Sequence, residues 1–158
     1  PAFTGVHYKG MEGAVPAPQF EAALRDPSLT AIVFCPSNPF VSIDPILHVP
    51  DVSDALDKTA VPIIAVSPII GGQAVKGPAA KMMMELDLPV SPLGIAQHYG
   101  DLIDGLVIDN EDADLADQIM ATGIGVQVTN TLMKSAEDEA LLAQETLNLA
   151  ATLSRKGF

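Results

Sequence analysis

The chain has one cysteine, no tryptophan, and only eight lysines and arginines among its 158 residues. A single thiol, Cys35, excludes an internal disulfide and points to a reducing compartment, most simply the cytoplasm. It ends an apolar run and reads as a small core residue. So few cations in a chain of net charge −12 argue against a nucleic-acid backbone or an anionic membrane surface as partner. Aromatics make up 4% of the residues, which leaves aliphatic side chains and methionine to fill a core. Mean hydropathy is high at +0.30, yet Pro, Asp and Gly interrupt every apolar run before the roughly 20 residues that a spanning helix needs. There is no CxxC, no Ser/His/Asp order and no metal-ligand spacing. The opening Pro1-Ala-Phe-Thr-Gly-Val-His-Tyr8 lacks the basic start and apolar stretch of a signal peptide. Beginning with Pro rather than Met, the chain reads as a piece of something longer.

What is present alternates. Apolar runs at Thr30 to Cys35, Val61 to Ser67, Gly105 to Asp109 and Ile124 to Thr129 read as buried parallel strands, which are continuous rather than alternating in hydropathy. Between them lie helical stretches: Gln19 to Arg25, Asp44 to Leu47, Ser53 to Asp57, a Met-rich helix from Ala79 to Leu88, and Ser91 to Ile103. Asp112 is expected to cap a helix carrying Leu115 and Ile119 on one face. Ser135 with Asp138 resembles a capping box for a last helix, with Ala140, Ala143, Leu147 and Ala150 on one side. The pattern predicts an α/β fold with a mainly parallel sheet. Four strands are few for such a sheet, which suggests that partner strands are missing.

In open α/β sheets ligands bind at the carboxyl ends of strands. The first such end is Cys35-Pro36-Ser37-Asn38-Pro39, with a further hydroxyl at Ser42. Two prolines stiffen it, so Ser37, Asn38 and Ser42 are candidate ligand contacts; the same groups also suit a plain strand-to-turn exit. The second end is Ser67-Pro68-Ile-Ile-Gly71-Gly72-Gln-Ala-Val-Lys76-Gly77-Pro78. Glycines there let backbone N–H groups approach an anion, and Lys76 adds a full charge. It is a phosphate-binding arrangement in kind, though neither a Walker A nor a GxGxxG motif, and a plain strand-to-helix turn is the competing reading. Asp109, Glu111, Asp112 and Asp114 suit a capped helix start better than Mg²⁺, with Asp109 and Asp112 the weak metal candidates. Met82, Met83 and Met84 do not converge on a helix and read as core filler. His98, beside Tyr99 with no acidic partner near it in sequence, reads as satisfied within the fold.

Pro36-Ser-Asn-Pro-Phe-Val-Ser-Ile-Asp-Pro-Ile-Leu47 and Val61-Pro-Ile-Ile-Ala-Val-Ser-Pro-Ile-Ile-Gly-Gly-Gln-Ala-Val-Lys-Gly-Pro78 together resemble the 2-phospho-L-lactate transferase family. The likeness extends to Gly94-Ile-Ala-Gln-His-Tyr99 and Thr131-Leu-Met-Lys-Ser-Ala-Glu-Asp138. It implies a Rossmann-like three-layer fold, incomplete here because residues 1–158 correspond to the C-terminal half of one transferase domain. It also implies transfer of a 2-phospholactyl or phosphoenolpyruvyl group from a guanosine-diphosphate-linked donor to the ribityl hydroxyl of a deazaflavin. GMP leaves, Mg²⁺ is required, the product is a precursor of the deazaflavin coenzyme F-420, and the enzyme is a homodimer. On that reading Ser37, Asn38, Ser42, Ser67, Gly71, Gly72, Lys76 and Gly77 bind the donor, and the piece alone is inactive. Cys35, Asp51 and Asp87 stand where the family favours glycine, and Gln97 where it favours arginine. Aspartate tolerates positive φ, which makes the Asp changes mild.

Two other readings are a regulatory protein of the same superfamily that binds uridine-diphosphate sugars without catalysis, and an inactive nucleotide-binding fragment. The run from Gly71 to Pro78 favours the transferase, because the regulatory branch lacks it.

Overall fold

The computed structural model describes residues 2–155. Strands β1 (Ile32–Phe34), β2 (Ile63–Val66), β5 (Gly105–Asp109) and β6 (Gly125–Thr129) form one sheet in the order β1-β2-β5-β6. All its pairings are parallel, in the registers Ile32 to Ile63, Ile64 to Gly105 and Gly105 to Gly125. Strands β3 (Ile69–Ile70) and β4 (Gln73–Ala74) make a separate antiparallel hairpin. The seven α-helices among the described residues are α1 (Pro18–Leu24), α2 (Asp44–Leu47), α3 (Pro50–Asp57), α4 (Ala79–Glu85), α5 (Pro92–Tyr99), α6 (Ala116–Met120) and α7 (Ala136–Thr152). Among the described residues no helix is long and apolar enough to cross a membrane.

The period of two in a strand sends alternate residues to opposite sheet faces. Ile63, Ala65, Leu106 and Ile108 enter the larger core with Met83, Ile95 and Ile119, whereas Ile64, Val66 and Val107 meet Leu142, Leu149 and Ala150 of α7. Helices therefore cover both faces, and the α/β, Rossmann-like architecture read from the sequence is the one observed. Ser135 and Asp138 form the expected capping box, Ser135 Oγ accepting the Asp138 N–H and Asp138 the Ser135 N–H.

Several boundaries differ from expectation for identifiable reasons. The Met-rich helix stops at Glu85, and Asp87 takes φ +57°, a conformation aspartate tolerates better than most residues. The helix expected to reach Ile103 ends at Tyr99, where Gly100 turns with φ +52° and a single 3₁₀ turn follows. Helix α7 buries Leu142, Thr146, Leu149 and Ala150, so its inward face is not the one expected; Leu147 is half exposed. Leucines lie all round this helix, and their spacing alone does not select a side.

Gly94 in α5 fits a tight crossing. A Cβ there would stand 1.9 Å from the Pro89 carbonyl oxygen and 2.8 Å from Met83 Cε. Gly94→Ala should therefore destabilise the fold by at least about 2 kcal/mol, within the range for overpacking a core. A urea midpoint equal to wild type would contradict that.

Candidate functional site

The carboxyl ends of β1, β2 and β6 open on one side of the sheet around a cavity of about 540 Å³. Each wall has its own construction. After β1, Asn38 accepts the Phe40 and Val41 N–H groups at 3.0 and 3.3 Å through its Oδ1, capping a π-helical turn, Pro39–Ile43. Its Nδ2 reaches Met82 Sδ at 3.3 Å. Asn38 therefore shapes the loop, while Ser37 and Ser42, also lining the cavity, keep their hydroxyls free of any hydrogen bond to the described residues. After β2, Ser67 is buried; its hydroxyl donates to Ile69 O at 3.0 Å and accepts from Ile69 N–H at 3.1 Å. It lines the cavity as part of a turn rather than as an open donor.

Six of the residues singled out in the sequence, Ser37, Asn38, Ser42, Ser67, Lys76 and Gly77, border this one space. Gly71 and Gly72 do not border it. With φ +54° and +76° they are the two central residues of the hairpin joining β3 to β4, where positive φ is required at both positions. The Gly71 N–H, expected to face an anion, donates instead to Asp112 Oδ2 at 3.0 Å. Nor does α4 supply a helix start before Ala79, since Pro78 precedes it as the cap. Gly71→Ala should cost about 1 kcal/mol because of the backbone conformation, and a Cβ there also meets Glu111 Oε2 at 2.6 Å. Equal thermal midpoints would show that the hairpin tolerates the change.

Thr131, Leu132 and Met133 complete the cavity wall; the family resemblance runs through them, but they were not among the site residues expected from sequence. Their position just past β6, at the same sheet end as Ser37, and that resemblance were the available signals. Thr131 is fixed by Asp109, whose Oδ2 accepts the Thr131 N–H at 2.8 Å and its hydroxyl at 3.0 Å. Asp109 Oδ1 takes the Glu111 N–H at 3.0 Å, so Asp109 caps the 3₁₀ stretch Asn110–Leu115. That corrects the expectation for Asp112, which lies inside this stretch with a non-helical φ of −109° and is buried.

The two carboxyls differ in environment. Burial pushes Asp109 up, but the Thr131 and Glu111 N–H groups and the Thr131 hydroxyl outweigh it, and its pKa lies below the ordinary value. Burial raises Asp112, the Gly71 N–H opposes this, and nearby Asp109, Asp114 and Glu111 reinforce it. An acid raised in the folded state binds protons more readily there than when unfolded, so its contribution falls as pH rises above the unfolded pKa, about 3.9. Asp112→Asn keeps an acceptor for Gly71 and removes the buried charge. Its stability relative to wild type should therefore increase between pH 4 and pH 7; urea midpoints that stay parallel across that range would refute it.

Mg²⁺ asks for carboxylate oxygens open to a cation and its waters. Asp109 has both oxygens engaged and Asp112 has one, so the two do not fit a direct coordination role. Among the described residues no group of three or more His, Cys, Asp or Glu is placed to hold a metal.

A second cavity, of about 460 Å³, lies behind the π-helical turn and is bordered by Asp44, His48, Ser53, His98 and Tyr99. His98 Nε2 stands 2.9 Å from Asp44 Oδ1. This acidic partner is 54 positions away in sequence, which is why sequence reading left His98 without one. The Phe40 ring packs edge-on against His98, and the Tyr8 hydroxyl donates to the Phe40 carbonyl. Burial and Asp44 hold the Tyr99 phenol above its ordinary pKa. The pair thus secures the turn that carries Ser42.

An all-parallel sheet with helices on both faces, and with hydroxyls and a lysine collected at its strand ends, defines a Rossmann-like α/β protein with a candidate ligand site at those ends. The profile of 2-phospho-L-lactate transferase CofD matches residues 5–144, and the chain belongs to that family. It is 37% identical over 142 residues to the phosphoenolpyruvate transferase of Streptomyces griseus, covering 89% of this chain and 44% of that protein. Against the 2-phospho-L-lactate transferase of Methanocaldococcus jannaschii it is 37% identical over 149 residues, 94% of this chain and 45% of the relative. With the 2-phospho-L-lactate transferase of Methanococcoides burtonii it shares 42% over 122 residues, 77% and 39% of the two chains. The chain thus spans less than half the length of these curated relatives.

Proposed function

We propose that these residues form the phosphate-holding part of the donor site of a transferase acting in coenzyme F-420 biosynthesis. The observation that carries this is the charge around the 540 Å³ cavity. The protein has 20 acidic residues, yet none lines this space, whereas Lys76 does. An acid-free cavity with one ammonium and two open hydroxyls, Ser37 and Ser42, suits a diphosphate. The donor is a guanosine diphosphate whose terminal phosphate carries the three-carbon acid, that is, GMP joined to 2-phospholactate or phosphoenolpyruvate, the acids named in the relatives.

Phosphoryl transfer asks a protein mainly for positioning and charge stabilisation. Lys76 and the serine hydroxyls would hold the non-bridging phosphate oxygens. The ribityl hydroxyl oxygen of a deazaflavin then bonds to the phosphorus bearing the three-carbon acid, the hydroxyl proton passes to solvent, the P–O bond from that phosphorus to GMP breaks, and GMP departs with the bonding electron pair. No covalent enzyme intermediate is required, in keeping with a cavity whose lining has neither cysteine nor histidine. Mg²⁺ and the deazaflavin would be held mainly by groups outside these 158 residues, and the complete enzyme would pair as a homodimer.

Calorimetric titration with GDP and UDP tests the reading. Tighter GDP binding is the expected result. Tighter UDP binding would favour the sugar-nucleotide regulatory alternative and overturn this one.

A further inference from the structure

Ser42 offers one of the two open hydroxyls of the cavity, and its aim depends on the turn that carries it. That turn stands between two hydrogen-bond registers. The Asn38 carbonyl accepts the Ser42 N–H at 3.1 Å, an α-type bond, and the Ile43 N–H at 3.3 Å, a π-type bond. The Asp44 N–H goes to Pro39 O, again the π spacing. Helix α2 then begins with the ordinary α spacing, the His48 N–H on Asp44 O at 2.9 Å. π-helical turns are rare in folded chains, so this one needs support from its surroundings. In the α register the Ile43 N–H would bond Pro39 O and the Asp44 N–H would bond Phe40 O. Side chains beyond the slip would then swing about the axis by up to about 100°, the arc of one residue.

Two contacts select the wider register. The Tyr8 hydroxyl donates to Phe40 O, the acceptor that the α register would give to Asp44. Asp44 Oδ1 meets His98 Nε2 at 2.9 Å, a contact with α5 that a swing of Asp44 about the axis would break. These two side chains are only 13% and 19% exposed, so the contact is better shielded than a surface pair. His98 is itself seated on the core. Its ring packs edge-on against Phe40 and Tyr99, with centroids 5.0 and 5.1 Å apart, and Tyr99 packs against Phe34 of β1 at 5.5 Å. The turn is thereby set relative to the carboxyl end of β1, where Ser37 stands.

We propose that Asp44 and His98 are positioning residues: they hold the turn in its wider register and so aim the Ser42 hydroxyl at the donor diphosphate beside Ser37 and Lys76. This rests on the diphosphate reading of the cavity. Neither residue borders that cavity, so their effect on a ligand there passes through the turn.

Calorimetric titration of the chain with GDP tests it. Asp44→Ala and His98→Ala should each weaken GDP binding at least about fivefold, a misdirected hydroxyl forfeiting most of one hydrogen bond. The sign is informative, because removing a carboxylate by itself would strengthen the binding of an anion. Asp44→Asn keeps an acceptor for His98, and His98→Gln keeps a donor for Asp44. Both should bind GDP within about twofold of wild type, or more tightly, the bond being kept. In a Ser42→Ala background, Asp44→Ala should cost less than about twofold more, as for residues that act as one unit. Circular dichroism and the thermal midpoint show that each variant folds, and if one alanine variant does not, the other carries the comparison. The proposal is overturned by alanine variants that bind GDP as tightly as wild type. A loss that the Asn and Gln variants share in full, or that persists undiminished without the Ser42 hydroxyl, overturns it too. Wild type that binds no GDP overturns the donor reading and this one together; wild type that binds it, with both alanine variants equal to it, overturns this one alone.

Discussion

Lys76→Ala should weaken GDP binding by about 1–3 kcal/mol, or roughly 5- to 150-fold, the range for removing a hydrogen bond to a charged group. Lys76 is the one charged residue bordering the cavity, and it makes no ion pair with the described residues. Nothing already neutralises it, so its full charge is available to a phosphate. The side chain is exposed, which makes the variant safe for folding and places the loss in binding rather than stability. Lys76→Arg, by contrast, should retain much of the affinity. Calorimetry on the three proteins checks this; an alanine variant that binds GDP as tightly as wild type removes Lys76 from the site.

Arg155→Ala should destabilise the chain by about 3 kcal/mol, the lower end of the cost of breaking a buried ion pair. Arg155 is buried, and its Nη1 lies 3.2 Å from Asp104 Oδ2 and 3.0 Å from Leu102 O. Nη2 reaches Leu56 O at 3.5 Å, while Nε has no hydrogen-bond partner among the described atoms. Asp104 Oδ2 also accepts the Ile63 N–H at 2.9 Å, which ties the amino ends of β2 and β5 together. Removing the guanidinium strips three contacts from a region that water cannot easily re-enter. With a urea m-value of about 1–3 kcal/mol/M, the midpoint should fall by more than about 1 M. A midpoint within about 0.3 M of wild type would mean that the pair contributes no net stability. The site lies at the opposite end of the sheet, so GDP affinity of the folded variant should hold.

Local chemistry made the strands legible. Ile63–Val66 and Gly105–Asp109 are continuous apolar runs, and their burial on both faces is what such runs report. The stiff Pro36-Ser37-Asn38-Pro39 exit and the Ser135 capping box were equally legible, because each signal lies within a few residues. What escaped the sequence depends on long-range geometry. Gly71-Gly72 serves either a phosphate loop or a hairpin, and the decision falls to Ile70 pairing with Gln73 and to Asp112, 41 positions away. The Asp44 partner of His98 and the Asp109 clamp on Thr131 are likewise contacts between distant segments. The inward face of α7 was decided by the sheet it meets, since its leucines point in several directions.

The clean lining of the cavity carries a kinetic consequence. A protein of net charge −12 repels a diphosphate at a distance, and only near contact does the local field become attractive. Added salt shortens the reach of that far repulsion, to about 8 Å at physiological ionic strength, and disturbs the close ammonium–phosphate contact much less. Moderate salt should thus hasten capture of the nucleotide while barely changing how long it stays.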